Sequence, residues 1–362
     1  MPNDDIIAFL RQTRESDGSD LHVMVGAPPS ARVHGQLTPL SDEPVTADQS
    51  REMILDILED TQRAKLEKNR ELDFAIQVRD LGRFRANAHY VRGSLEVAMR
   101  HIPEDIPEME DLGHGESLAN LCKRPQGLIL VTGMTGSGKS TTMASMIKRI
   151  SEQRAAMLVT IEDPIEYVFQ HSQSLIKQRQ VGSDTQSFSN ALRAALRQDP
   201  DVVMVSEMRD LETIRTAITA AETGHLVIGT LHTQDAPRAI DRLVDVFPSD
   251  QQGLVVTQLS NCLEGIVSQR LLERNDAPGR VMISEILIGN HAVRSCIRDR
   301  KWAQLVGLMQ VGYNDGMHTF DDSLGHLAKG GFISHQDALL LCRDPDHMKA
   351  ELNAAGVETG EE

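Results

Sequence analysis

Residues 133–140 read GMTGSGKS, which places two glycines, a lysine and a hydroxyl at the spacing G-x-x-x-x-G-K-[ST]. That spacing serves anion capture. Gly133, Gly136 and Gly138 let the backbone wrap so that successive N–H groups point inward, with Thr135 and Ser137 completing the cradle. A helix starting behind the loop adds the positive end of its dipole. In this chemistry Lys139 reaches the β- and γ-phosphates of ATP, and the Ser140 hydroxyl, followed by Thr141, ligates Mg2+. The apolar run LILV precedes the loop, and Met143, Met146, Ile147 and Ile150 form a helical stripe after it. Strand, loop and helix is the order the motif requires.

A phosphate loop does not by itself hydrolyse anything. The run DVVMVSE ends in Glu207, placed to hold the water shell of the magnesium ion. The run LVTIEDPIEY ends in Glu162, Asp163 and Glu166, so a carboxylate stands where it can polarise an attacking water. Glu162, Asp163, Ser140 and Glu207 are the candidate metal-side oxygens, and Pro164 restricts where Glu166 points. His225 and His232 flank LVIGTL; seven residues across a strand do not present two ligands to one metal. They read as polar contacts near phosphate or a subunit boundary, or as ordinary strand-end histidines. No N-K-x-D guanine reader and no L-S-G-G-Q signature occurs.

These groups need positioning elements, and 362 residues suffice for two domains. Residues 1–101 mix helical spacing (Ile6, Ile7, Leu10; Met53, Ile54, Ile57, Leu58) with short alternating stretches, an α+β pattern. Residues 102–116, rich in proline, glycine and acid, read as a linker. Residues 117–350 alternate wholly apolar runs with helical stretches, the pattern of an α/β domain with a parallel sheet covered on both faces. From about 253 the period reads as mostly helical, and 351–362 as a flexible tail. A net charge of −16 argues against a general duplex-DNA binder, so no nucleic acid partner is expected. The four cysteines are dispersed, without a C-x-x-C pair, which suits reduced thiols. No apolar run approaches the roughly 20 residues of a membrane span, so no direct membrane insertion is expected. The expected place is the cytoplasm.

Together GMTGSGKSTT, IEDPIEY, SEMRDLETIRTAITAAETGH and GTLHT resemble the secretion ATPases of type II and type IV pilus machines, and most of all the PilT-type retraction ATPases. The resemblance extends to GSDLHVMVGAPPSARVHGQLTPL near the start and to HAVRSCIRD and GMHTFD near the end. It implies a RecA-like core after a smaller PAS-like domain, a homohexamer with ATP between subunits, and peripheral attachment to an inner-membrane platform protein at its cytoplasmic face. It assigns Lys139 and Ser140 to Walker A, Glu207 to Walker B, Glu166 to the catalytic glutamate, and His225 and His232 to a His box. Arg85, Arg92 and Arg100 are candidates to reach nucleotide across an interface. Extension ATPases carry a longer N-terminal region and a four-cysteine zinc subdomain, so the likeness favours retraction. An accessory retraction paralogue and a slow-hydrolysing regulatory scaffold are the alternatives. The chain departs from the family at Ser206, usually glycine, which raises the question of backbone strain. Arg294 and Arg298 form a basic stripe on a predicted helix at 292–299, in a motif the family ties to retraction.

Overall fold

The structure, a computed structural model, describes residues 4–103 and 105–354. The chain divides into two compact units: residues up to Asp105 together with Glu166–Val168, and Ile106–Ile165 together with the chain from Phe169 onward.

In the first unit helix α1 (Asp4–Glu15) leads into strands β1 (Gly18–Val23), β2 (Ser30–Val33) and β3 (Gln36–Pro39). Helices α2 (Ala47–Asp56) and α3 (Asp60–Asn69) follow, then β4 (Glu71–Val78), β5 (Gly82–Val91) and β6 (Ser94–Ile102). The strands form one antiparallel sheet in the order β3-β2-β1-β6-β5-β4. Thr46 and Gln49 close a capping box at the start of α2, satisfying two N–H groups that the helix cannot. The helical stripes read from sequence do pack inward: Ile6, Leu10, Met53 and Ile54 join Leu21, Phe84 and Met99 in one core.

The second unit opens with residues that the sequence marks as linker. They are not free of it: Pro107 O accepts from Ser145 Oγ at 2.6 Å, and Met109 is buried. Then come α4 (Glu116–Cys122), β7 (Gly127–Thr132), α5 (Lys139–Gln153), β8 (Met157–Glu162), β9 (Leu175–Gln180), α6 (Phe188–Ala195), β10 (Val202–Val205), α7 (Leu211–Glu222), β11 (Leu226–Leu231), α8 (Ala236–Asp245) and α9 (Ser249–Cys262). The long strands β12 (Leu263–Glu273) and β13 (Arg280–Ile288) follow. The sheet order is β13-β12-β7-β11-β10-β8-β9, parallel except for the antiparallel pair β12–β13. Leu128, Ile129, Leu130 and Val131 of β7 are wholly buried, as a strand covered on both faces must be. Each such side chain contributes about 2 to 3 kcal/mol of burial.

The chain beyond 253 is mostly helical, with one exception that the sequence reading missed: α9 runs straight into a two-stranded ribbon, because GIVSQRLL pairs on one side with β7 and on the other with β13. One expectation is corrected here: residues 351–354 are helix and not tail. After α10 (His291–Arg298), α11 (Leu305–Val311), α12 (Phe320–Lys329) and α13 (His335–Leu341), helix α14 (Pro345–Ala354) buries Met348 and Leu352 against Phe320 and Leu324. The rest of that segment, 355–362, lies outside the described residues.

The helix at 292–299 is present, but its arginines do not make one exposed stripe. Arg294 points into the unit, donating to Gly289 O (2.7 Å), Ser260 O (3.3 Å), Asn261 O and Glu264 Oε1 (2.7 Å). Arg298 is exposed.

Candidate functional site

Strands β7, β8, β10 and β11 run parallel, so their C-terminal ends share one edge of the sheet, where open α/β sheets hold ligands. At that edge β7 gives way to the loop. Gly133 has φ +150°, and a Cβ there would collide with Gln269 O and Ser137 Oγ. Gly136 (φ +79°) and Gly138 (φ +87°) also sit where side chains rarely go. Thr135 is exposed and Ser137 buried. Gly138 caps α5, so Lys139, Ser140 and Thr141 occupy its first turn, where N–H groups lack helical partners. Lys139 Nζ lies over the loop, donating to Gly133 O (2.8 Å) and Met134 O (3.0 Å).

The carboxylates arrive at the same edge. Glu162 ends β8; it is 5% exposed, and its Oε1 accepts from Thr160 Oγ1 (2.6 Å) and Gln178 Nε2 (3.0 Å). Asp163 beside it is exposed. Glu207, just beyond β10, accepts from His232 Nε2 (2.7 Å) and from Arg209 Nε. Ser206 lies in the bend just after β10: it is not among the positive-φ residues, its N–H donates to Ile161 O (2.9 Å), and its carbonyl accepts from Thr230 Oγ1 (2.5 Å). Serine therefore brings no left-handed strain to this turn.

The loop, Glu162, Asp163, Glu207 and His232 are thus brought together within the second unit. His225 is not. It stands before β11, at the opposite edge of the sheet, where its Nδ1 lies 3.1 Å from Ala220 O at the end of α7. The strand between the two histidines spans roughly 20 Å. The pairing of His225 with His232 at nucleotide is thus corrected for a single chain, because a strand places its two ends apart. Glu166 is exposed and groups with the first unit, while its flanks Ile165 and Phe169 belong to the second. Arg85 and Arg100 face each other across β5 and β6, and Arg92 lies in the turn joining them with φ +51°. Arg100 is engaged within its own unit, donating to Asp20 Oδ1 (2.7 Å) and Oδ2 (3.3 Å). Burial by itself raises the Asp20 carboxyl, but these bonds hold it below its ordinary value.

Two glutamines escaped the sequence reading. Gln269 on β12 is 1% exposed and donates from Nε2 to Ser137 O at 2.7 Å, clamping the loop from behind. A Cβ on Gly138 would lie 3.1 Å from that nitrogen. No local signal marked Gln269, because β12 shows no clean alternation of buried and exposed residues. Gln178 on β9 binds the Glu162 carboxylate. Next to the start of α5 a cavity of about 470 Å3 is lined by Gly138, Thr141, Leu271, Arg280, His326 and Phe332. Its apolar walls, with Arg274 and Arg280 offset by Glu110 and Asp111, adjoin the loop at Gly138 and have room for a nucleoside whose phosphates lie on the glycines. For a hard cation the Ser140 hydroxyl and Glu207 carboxylate supply oxygen donors of the right class.

Helix α5 is also tied to His114, whose Nε2 lies 3.0 Å from Thr142 Oγ1. Burial pushes the His114 pKa down to about 3 from 6.5, and His318 acts in the same direction. Above pH 6.5 both folded and unfolded chains hold this imidazole neutral. Below it the unfolded chain takes up a proton that the folded chain refuses, so stability falls by about 1.4 kcal/mol per pH unit. Burial lowers His318 likewise. Glu285 opposes them: burial lifts its carboxyl to about 6 from 4.5, so the folded state protonates first between those values and gains. The expected result is a melting temperature that drops as the pH falls below 6.5, where the unfolded chain takes up the proton that buried His114 refuses. The drop should be smaller in His114→Gln; an unchanged drop would assign it to other groups.

Comparison with known proteins gives near full-length matches. The family described as "Type II/IV secretion system protein" matches residues 6–336. The chain is 44% identical over 344 residues to the type IV pilus retractation ATPase PilT of Pseudomonas aeruginosa, covering 95% of this chain and 100% of that protein. It is 40% identical over 331 residues to the type IV pilus ATPase PilU of the same organism, covering 91% and 87%. The crystal structure of the pilus retraction motor PilT with bound ADP superposes with a TM-score of 0.89 at 47% identity, covering 95% of this chain and 99% of that one.

Proposed function

Since this chain belongs to the type II/IV secretion system protein family, we propose that it is an ATPase of the PilT type, working as the motor that retracts type IV pili. The observation that carries this reading is the correspondence along nearly the whole chain to a retraction motor, with a complete phosphate loop at the shared sheet edge.

In this reading the N–H groups of residues 133–141 and the Lys139 ammonium hold the β- and γ-phosphates, and the cavity beside α5 takes the base. Ser140 and Glu207 would hold Mg2+, which when bound offsets phosphate charge during transfer. Glu162 and Asp163 lie on the metal side of the site. Glu166 draws a proton from the attacking water. His232 keeps Glu207 oriented through the bond at 2.7 Å. Arg85, Arg92 and Arg100 reach nucleotide of a neighbouring copy in a homohexamer. The ring works at the cytoplasmic face of the inner membrane against a platform protein of the pilus machine; among the described residues no helix is long and apolar enough to cross a membrane. An accessory motor is the second reading, favoured by the 40% identity to PilU.

The test is complementation. In a piliated host lacking its own retraction ATPases, expression of this chain alone should restore pilus shortening and twitching. Restoration only when a second, catalytically inactive retraction ATPase is co-expressed would favour the accessory role. No restoration with either, despite normal protein levels, would exclude both.

A further inference from the structure

We infer that Gln178 is a positioning residue for hydrolysis, a staple that fixes both ends of the segment 163–168 and so sets where Glu166 stands. The inference rests on the reading of Glu166 as the water-activating carboxylate. Gln178 lies on β9, the edge strand, directly beside Thr160 of β8. Its one side-chain amide serves two ends of the chain. Nε2 donates to Glu162 Oε1 at 3.0 Å, where the excursion leaves β8. Oε1 accepts from Phe169 N at 2.9 Å, where the excursion ends. Gln180 stands two residues on, hence on the same face of the strand. It accepts from Ile165 N at 3.5 Å inside the segment. Thr160 Oγ1 shares the Glu162 oxygen at 2.6 Å, and Glu162 O accepts from Val181 N at 2.8 Å, so the departing end is held from both strands.

The chemistry asks for an amide. A donor is needed toward a carboxylate that is 5% exposed and an acceptor toward a backbone N–H, and a neutral amide carries both. Leucine at 178 would leave both groups without this partner. Glutamate would keep the shape but set a second carboxylate against Glu162. Other charged groups here are Arg179, whose NH2 donates to Asp184 O (2.9 Å), Asp184, which accepts from Gln180 N (2.8 Å), and exposed Asp163. Catalytic geometry is unforgiving: a displacement of about 1 Å costs on the order of a hundredfold in rate. A segment pinned at its base by one side chain is where such displacement would enter.

The experiment measures steady-state ATP hydrolysis, ADP affinity and melting temperature of the full-length protein carrying Gln178→Leu, Gln178→Glu, Glu166→Gln, or Gln178→Leu with Glu166→Gln, between pH 5.5 and 8. Gln178→Leu should lower kcat about 10- to 100-fold, with KM and ADP affinity within about twofold of wild type. Gln178→Glu should be equally slow, because this second carboxylate cannot donate to Glu162. The double variant should be no slower than Glu166→Gln alone. Inactive Glu166→Gln with Gln178→Leu at wild-type rate would overturn the staple while leaving the base in place. If Glu166→Gln hydrolyses ATP normally, the reading of Glu166 falls and the staple with it. Parallel losses in kcat, ADP affinity and melting temperature would reduce Gln178 to a folding role and overturn the inference.

Discussion

Lys139→Ala is expected to weaken nucleotide binding severely, whereas Glu166→Gln keeps binding and loses hydrolysis. The two substitutions separate because the groups act at different moments. The Lys139 ammonium meets phosphate charge in the ground state, in a loop where Gly133, Gly136 and Gly138 already turn the backbone around the same anion. Removing a desolvated charge partner costs on the order of 2 to 5 kcal/mol, which weakens binding roughly 30- to 4,000-fold. The loop itself should survive, since its shape rests on the glycines and on the Gln269 clamp at 2.7 Å. Glu166 contributes only when the water gives up its proton, a step worth about 10² to 10⁴ in rate. Fluorescent-nucleotide titration and phosphate release on the same preparations check both. Hydrolysis by Glu166→Gln within a few-fold of wild type would move the base to Glu162 or Glu207.

Arg294→Ala is expected to destabilise the second unit by about 2 to 4 kcal/mol, while Arg298→Ala stays within about 0.5 kcal/mol of wild type. The fork of Arg294 closes off Ser260 O and Asn261 O at the end of α9 and Gly289 O before α10. It also pairs with Glu264 Oε1, whose other oxygen meets Arg124 Nε at 3.1 Å just before β7. Alanine would strip the carbonyls of their donor and leave Glu264 with one cation. The spread in the figure reflects partial screening, since both side chains keep some solvent contact. Arg294→Lys should not rescue, because a single ammonium cannot reach acceptors arranged for a planar fork. Denaturant unfolding decides it; a midpoint for Arg294→Ala equal to wild type would mean these bonds carry no net stability. A motility defect in a variant lacking both arginines would therefore not isolate coupling. Exposed Arg298 is the residue on which transmission to the pilus machine can be tested separately from folding.

The sequence alone determined the phosphate loop, because that chemistry is local. Left-handed glycines, a strand before them and an amphipathic helix after them are all written within about twenty consecutive residues. It likewise determined the strands β7, β8, β10 and β11, whose unbroken apolar runs have no other stable home than a sheet covered on both faces. With parallel strands, the shared edge that gathers Lys139, Glu162, Glu207 and His232 follows from topology. Tertiary structure decided what depends on register between distant segments. The ribbon β12–β13 was misread because strands with long runs buried on both faces show no clean alternation. Gln178 meets Glu162 across 16 residues of chain, and Gln269 meets Ser137 across 132, pairings that no local spacing encodes. Whether an arginine on a helix faces water or braces the interior depends on which carbonyls another helix leaves open beside it. That is why Arg294 and Arg298, four apart and alike in sequence, differ in the fold: the end of α9 and Glu264 lie beside Arg294, and Arg298 faces solvent.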